Sequence, residues 1–197
     1  MARPFIIGLT GAMGMGKSET ARLFAAEGVP VFDADGAVHQ IYAAPGPLAD
    51  AIERLFPGAV GAGGVARDAL MSQMTPEKLE KLEALIHPEV AAARARFLAA
   101  NAAAPIVLLD IPLLLEAGIA TDAVVAASAP PHIQRARVMA RPGMTQEKFA
   151  HLAARQWPDE KKRQQAHYVV MTHLGLDHAR DQVKMILADI RNRLAEA

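Results

Sequence analysis

Residues 5–20 read FIIGLTGAMGMGKSET, an apolar run that passes directly into Gly11-Ala12-Met13-Gly14-Met15-Gly16-Lys17-Ser18. This is G-x-x-x-x-G-K-S at the end of a candidate strand, followed by a helix-forming stretch from Ser18 to Glu27 that Gly28 closes. The pattern constrains the fold strongly, because such a loop works only as the turn between a buried strand and a helix N-terminus. Glycines let the chain turn so that successive backbone N–H groups converge on an anion. Lys17 is then expected to bridge the β- and γ-phosphates of a nucleotide, and Ser18 to offer its hydroxyl to Mg²⁺. The positive end of the helix dipole faces the same anion.

Further apolar runs with little alternation occur at Val29–Phe32, Ile106–Leu109, Ala123–Ala127 and Tyr168–Met171. Runs of this kind, separated by helical stretches, are the signature of a parallel sheet covered on both faces. The expected fold is α/β: a doubly wound, five-stranded parallel sheet of the P-loop NTPase type. The chain's 197 residues suit one such domain with sizeable insertions. Its core would comprise residues 1–35, 105–130 and 166–197, with a helical substrate-binding insertion at 36–104 and a helical lid at 131–165.

The insertion is far longer than the dozen or so residues that a simple crossover needs. Leu48, Ile52 and Leu55 fall at helical spacing in it, as do Leu79, Leu82, Leu85 and Ile86. Thr75-Pro76-Glu77 reads as an N-cap with proline at the first helical position, and PGAVGAGGVARDAL as a glycine-rich turn. The lid collects Arg135, Arg137, Arg141, Arg155, Lys161, Lys162 and Arg163, a basic cover for a polyphosphate.

Lysine plus arginine and aspartate plus glutamate both number 21, so no broad positive field invites nucleic acid, and a small ligand is expected. The absence of cysteine excludes disulfides and thiolate chemistry and fits a reducing compartment. The N-terminal run matches neither a signal peptide nor a membrane span, so the expected location is cytoplasmic, with no membrane partner.

Phosphoryl transfer needs an acceptor hydroxyl and usually a carboxylate to take its proton. Ligands of open α/β sheets bind at the carboxyl ends of the strands, and acidic residues stand at two such ends. Asp33 and Asp35 follow the second run, two residues apart, so that an extended chain would point both to one side. Asp110 ends the third run, in the form expected of a carboxylate that orients Mg²⁺. Glu116 reads as a helix-surface acid. His87, which precedes Pro88, is expected at a helix boundary.

Taken in order, IGLTGAMGMGKS, DADGAVHQIYAAPGPL, VARDAL, IHPEV, LLDIPLLLEAG and the segment from Met139 to Val170 resemble the dephospho-coenzyme A kinases over nearly the whole length. The resemblance implies ATP-dependent phosphorylation of the ribose 3′-hydroxyl of dephospho-CoA, the last step of coenzyme A synthesis. It implies Asp35 as general base, with Asp33 supporting the acceptor or the metal shell. It also implies that Lys17 and Arg141 clamp the ATP phosphates, and that residues 11–19 (Gly11 to Glu19) form the ATP loop. By the same resemblance, His87 and the segment Pro112, Leu113 and Leu114 line the acceptor pocket.

The chain departs from the family pattern at Ala12, Met13 and Met15, where glycine, isoleucine and a small residue are common, and at Glu19, which replaces a threonine. Ala12 would be restrictive if a positive φ were needed, and Glu19 places an anion by the phosphates. AHYVVMTHLG replaces a more acidic pattern, with His167 and Met171 at the acidic positions. Three other readings compete: a kinase for a nucleoside monophosphate or sugar acid, a nucleotide-dependent switch in which DADG supplies a D-x-x-G element, and a binding module without catalysis, to which the presence of Lys17, Ser18, Asp35 and Arg141 gives no support.

Overall fold

The computed structural model describes residues 3–43 and 46–196. They form two compact units, Met1–Phe32 with Asn101–Ala197, and Asp33–Ala100.

The first unit is built on a five-stranded parallel sheet. Strand β1 (Phe5–Thr10) is followed by helix α1 (Lys17–Ala26) and strand β2 (Val31–Asp33). The intervening elements α2 (Ala34–Tyr42), α3 (Ala49–Leu55), β3 (Val60–Gly61), β4 (Gly64–Val65), α4 (Arg67–Ser72) and α5 (Pro76–Ala100) belong to the second unit. The chain returns as β5 (Ile106–Asp110) and β6 (Ala123–Ser128). Next come α6 (Pro131–Met139), α7 (Gln146–Ala154) and α8 (Asp159–Gln165), and the chain ends with β7 (Tyr168–Met171) and α9 (Leu176–Glu196).

The sheet order is β2-β5-β1-β6-β7, with β1 paired in parallel to β5 and β6, and β6 to β7. Every residue of β5 and β6 is buried, which explains why these strands read as unbroken apolar runs. Leu23 and Phe24 of α1 and Val183, Leu187 and Ile190 of α9 pack with Ile7, Leu9, Leu108, Val125 and Val170 of the strands in one core. All five expected strands form, each within two residues of its predicted bounds. Helix α1 ends in a Schellman arrangement: Gly28, at φ +82°, donates to Ala25 O at 3.0 Å, and Val29 N–H reaches Phe24 O at 3.2 Å.

The second unit has its own core of Ile41, Ile52, Phe56, Leu70, Leu82 and Ile86. The glycine-rich stretch expected as a turn is an antiparallel hairpin, Val60 opposite Val65 and Gly61 opposite Gly64. Glu53 latches its entrance by accepting the N–H groups of Gly58 at 2.6 Å and Val60 at 2.9 Å, bonds that hold its carboxyl below the usual range. Thr75 caps α5 as expected, accepting Lys78 N–H at 3.2 Å. The expected helix boundary at His87 does not occur: α5 runs through Pro88 for 25 residues, and His87 is exposed in its middle. Proline removes one N–H there, but Leu82, Ile86 and Val90 pack into the same core on both sides of it and hold the helix continuous.

Candidate active site

The loop after β1 is shaped from outside. Met13 C=O accepts from Gln134 Nε2 at 2.9 Å, Gly14 C=O from Arg137 Nη1 at 3.4 Å, and Met15 C=O from Thr172 Oγ1 at 2.8 Å. In a planar trans peptide the N–H points opposite to the C=O. Turning three successive carbonyls toward α6 and Thr172 therefore turns the following N–H groups the other way. The N–H of Met15 closes a turn on Ala12 O at 3.1 Å, while those of Gly14 and Gly16 are aimed away from the outer donors. Oriented amides of this kind make an anion nest, and the free N–H groups of the first turn of α1 extend it.

Two positions require glycine. Gly14 and Gly16 have φ of +80° and +87°. A Cβ on Gly14 would meet Val138 Cγ2 at 2.6 Å, and one on Gly16 would meet Thr172 Oγ1 at 2.9 Å. Ala12 is not strained, because no non-glycine residue among those described has a positive φ. Its methyl packs with Met15 and Ala129, and the Met15 sulfur accepts Ala129 N–H at 3.2 Å. Glu19 does not face the nest unopposed, since its carboxylate pairs with Arg22 at 2.9 Å.

Lys17, the first residue of α1, forms an ion pair with Asp110 at the end of β5, and both side chains are largely buried. Strand register sets this up: Asp110 lies beside Leu9, so both chain ends reach the carboxyl edge together. Ser18 follows, exposed on the first turn.

Asp33 is the last residue of β2 and the N-cap of α2, and Asp35 lies in the first turn of that helix. The expectation that both extend from one side of a strand fails, because the chain enters the helix between them at Ala34. Both carboxylates are nevertheless exposed, while Ala34 is buried. A Cβ on Gly36 would stand 2.7 Å from Asp33 Oδ2, so the absence of a side chain there lets that carboxylate fold over the first turn.

A parallel sheet of this order, a nested glycine loop ending in lysine, and a buried lysine–aspartate pair at the strand ends define a phosphate-handling site. The family model for dephospho-CoA kinase matches residues 5–177. The chain belongs to the dephospho-CoA kinase family. It is 52% identical over 193 residues to the dephospho-CoA kinase of Cereibacter sphaeroides, covering 96% of this chain and 97% of that one. It is 48% identical over 197 residues to the dephospho-CoA kinase of Novosphingobium aromaticivorans, covering 98% of each. The crystal structure of TT1252 from Thermus thermophilus superposes with a TM-score of 0.80 at 36% identity, over 95% of this chain and 98% of that one. Dephospho-CoA kinases are transferases, and the family reaction is the ATP-dependent phosphorylation of dephospho-CoA in coenzyme A biosynthesis. No helix among the described residues is long and apolar enough to cross a membrane.

Within this dephospho-CoA kinase fold, several side chains differ from their expected settings. Arg141 is exposed just after α6; its backbone N–H donates to Val138 O at 3.1 Å, while its guanidinium makes no hydrogen bond or ion pair among the described residues. Arg137, one turn earlier, is the arginine that reaches the loop, bonding Thr172 through Oγ1 at 2.9 Å and C=O at 2.8 Å as well as Gly14. The sequence grouped Arg137 with the other basic residues of 131–165, and nothing in its local pattern marked it as the one that reaches the loop, since its partner Thr172 lies 35 residues away. Leu114, expected to line the acceptor pocket, faces inward. It is fully buried, and a Cβ on Gly8 would lie 2.6 Å from its Cδ2, so its side chain fills the core over β1. Pro112 and Leu113 retain exposed surface.

Glu116 is not a helix-surface acid. It lies in a run of turns, accepts Lys162 Nζ at 2.7 and 2.9 Å, and accepts the N–H of Trp157 at 2.9 Å. Burial pushes its carboxyl up, but these bonds outweigh burial and hold it below the ordinary range. His167, at a position acidic in the family pattern, ties β7 to β6: its Nδ1 accepts Val124 N–H at 3.1 Å, and its backbone N–H donates to Val124 O at 2.9 Å. At Met171, the other such position, the backbone N–H donates to Gln182 Oε1 at 2.9 Å. Against the outer face of the loop lies a cavity of about 600 Å³, bordered by Met13, Pro131, Gln134, Gln156, Trp157 and Arg163.

Proposed function

We propose that this chain transfers the γ-phosphoryl group of ATP to the ribose 3′-hydroxyl of dephospho-CoA, giving coenzyme A and ADP, through the residues assigned below. The observation that carries the reading is the loop of inward-turned amides ending in Lys17, whose ammonium already holds an anion, the Asp110 carboxylate. A triphosphate offers that ammonium a second anionic partner. The loop from Gly11 to Glu19 would receive the phosphates, and the Arg141 guanidinium, without a bonding partner among the described residues, is available to close on them with its planar fork.

Ser18 and Asp110 present one hydroxyl and one carboxylate, the hard-oxygen donor set that suits Mg²⁺ when phosphate oxygens complete the shell. When bound, the ion would supply neutralisation of phosphate charge. Asp35 acts as the general base: the 3′-oxygen attacks the γ-phosphorus, the bond from that phosphorus to the bridging oxygen breaks, and the hydroxyl proton passes to Asp35. Asp33 orients the acceptor, and His87, Pro112 and Leu113 contact it. The unit Asp33–Ala100 then serves as the acceptor-binding subdomain, and residues 131–165 as a lid that excludes water when it closes.

The test is ADP release from Mg·ATP with dephospho-CoA, beside AMP, CMP, shikimate, gluconate and a no-acceptor control. Turnover that depends on dephospho-CoA, with product of coenzyme A mass, is expected. Preference for another acceptor would overturn the substrate assignment, and acceptor-independent release would overturn the kinase reading.

A further inference from the structure

The peptide groups on either side of Met13 are held by two glutamine side chains that the phosphate chemistry does not itself use. Met13 N–H donates to Gln156 Oε1 at 2.9 Å, and Met13 C=O accepts from Gln134 Nε2 at 2.9 Å. The backbone groups dictate which end of each amide is engaged: Gln156 must accept and Gln134 must donate. We infer that Gln134 and Gln156 are positioning residues for the nucleotide, setting the loop so that the Gly14 N–H faces the phosphates. This inference rests on the reading that the loop binds ATP.

Turn geometry gives the reason. Ala12 to Met15 is a four-residue turn closed by Met15 N–H on Ala12 O at 3.1 Å, with positive φ at Gly14 alone. That is the type II class, whose central peptide is the one joining Met13 to Gly14. The type I turn has the same ends with that peptide flipped, and glycine accepts either φ. Glycine at that position permits the type II turn without excluding type I, so the loop's own sequence leaves both orientations open. Gln134 selects between them by holding the Met13 carbonyl toward α6, which by planarity keeps the Gly14 N–H on the opposite side. Gln156 fixes the preceding peptide plane.

Both glutamines lie in the stretch from α6 to α8, so the loop takes its shape from where that stretch sits. The stretch is itself anchored, since the residue after Gln156 is Trp157, whose N–H is bonded to Glu116. Movement of this segment would release or restore the nest without any residue of the loop changing.

The test uses the asymmetry of the two amides. Gln156→Glu keeps an acceptor for Met13 N–H, whereas Gln134→Glu has no donor for Met13 C=O. Both add one negative charge beside the loop, so the comparison between them isolates the hydrogen bond. The expected result is a Kd and KM for Mg·ATP about three- to tenfold higher in Q134E than in Q156E, the effect of one hydrogen bond, with the KM for dephospho-CoA unmoved. The neutral variant Gln134→Met guards against misfolding of Q134E. It should weaken Mg·ATP about three- to tenfold relative to wild type and shift the Gly14 amide resonance in the absence of nucleotide. Equal ATP constants for Q134E and Q156E, or wild-type affinity in Q134M, would overturn the inference alone. If calorimetric titration of the wild-type chain with Mg·ATP detects no binding, the ATP reading fails and the inference with it.

Discussion

The ammonium of Lys162, whose side chain has no exposed surface, lies 2.7 and 2.9 Å from the two carboxylate oxygens of Glu116. The same nitrogen donates to Thr10 Oγ1 at 3.2 Å, at the residue before the loop begins. One buried charge thus joins α8, the 112–118 turns and the end of β1. Removing one member of a buried pair leaves the other unpaired, so Lys162→Met should lower stability by about 3–5 kcal/mol. The double variant Lys162→Met/Glu116→Leu should recover part of that loss, because it removes both charges together. Urea denaturation at neutral pH reads both, and equal loss in the single and double variants would contradict the assignment.

Acid should weaken the fold through two carboxylates. Glu116 is held below its ordinary range as described, and Asp122 is held low chiefly by its hydrogen bond from Arg3, which reaches it at 2.7 Å, and further by the N–H of Ile6. A depressed folded pKa gives stability that is fully present above the unfolded value and lost as pH falls through the folded value. Stability should therefore be flat with respect to these groups above about pH 5 and fall below about pH 4. In Asp122→Asn the acid-induced fall should be smaller, as monitored by denaturation midpoints across that range.

Arg137 and Arg141 should separate in their effects. The Arg141 side chain is exposed and has no bonding partner among the described residues, so Arg141→Ala should change stability by no more than about 0.5 kcal/mol. If it clamps phosphate, the same change should still reduce kcat/KM for ATP at least tenfold. Arg137→Ala removes bonds to Thr172 and Gly14 and should lower Tm as well as ATP affinity. Thermal melts beside steady-state kinetics distinguish the two, and full activity in Arg141→Ala would exclude it as the clamp.

Asp35→Asn tests the proposed base. Loss of general-base catalysis should reduce kcat by about 10²–10⁴-fold while ATP binding stays near wild type. A reduction under about tenfold would argue against the role. Asp35 is exposed in the first turn of α2, so the variant should fold normally.

The central strands were readable because burial on both faces leaves nothing polar in β5 and β6 but their terminal Asp110 and Ser128. The loop was readable because its glycines, lysine and serine are each required locally, at fixed spacing. The course of α5 through Pro88 was not, since proline argues locally for a boundary and only contacts of Leu82, Ile86 and Val90 with the unit's core override it. Glu116 could not be told from a surface acid, because its partner Lys162 lies 46 residues away.

By itself, then, the sequence determined the strand set, the phosphate loop and the family, all of which rest on local period, spacing and residue type. Tertiary structure decided which groups shape that loop. Gln134, Gln156, Arg137 and Thr172 reach Met13, Gly14 and Met15 from 121 to 157 residues away. Their side chains meet the loop only because the sheet order brings the ends of β1, β6 and β7 to one edge. Hydrogen bonds act over about 3 Å, and no local pattern reports which distant residues folding will bring that close.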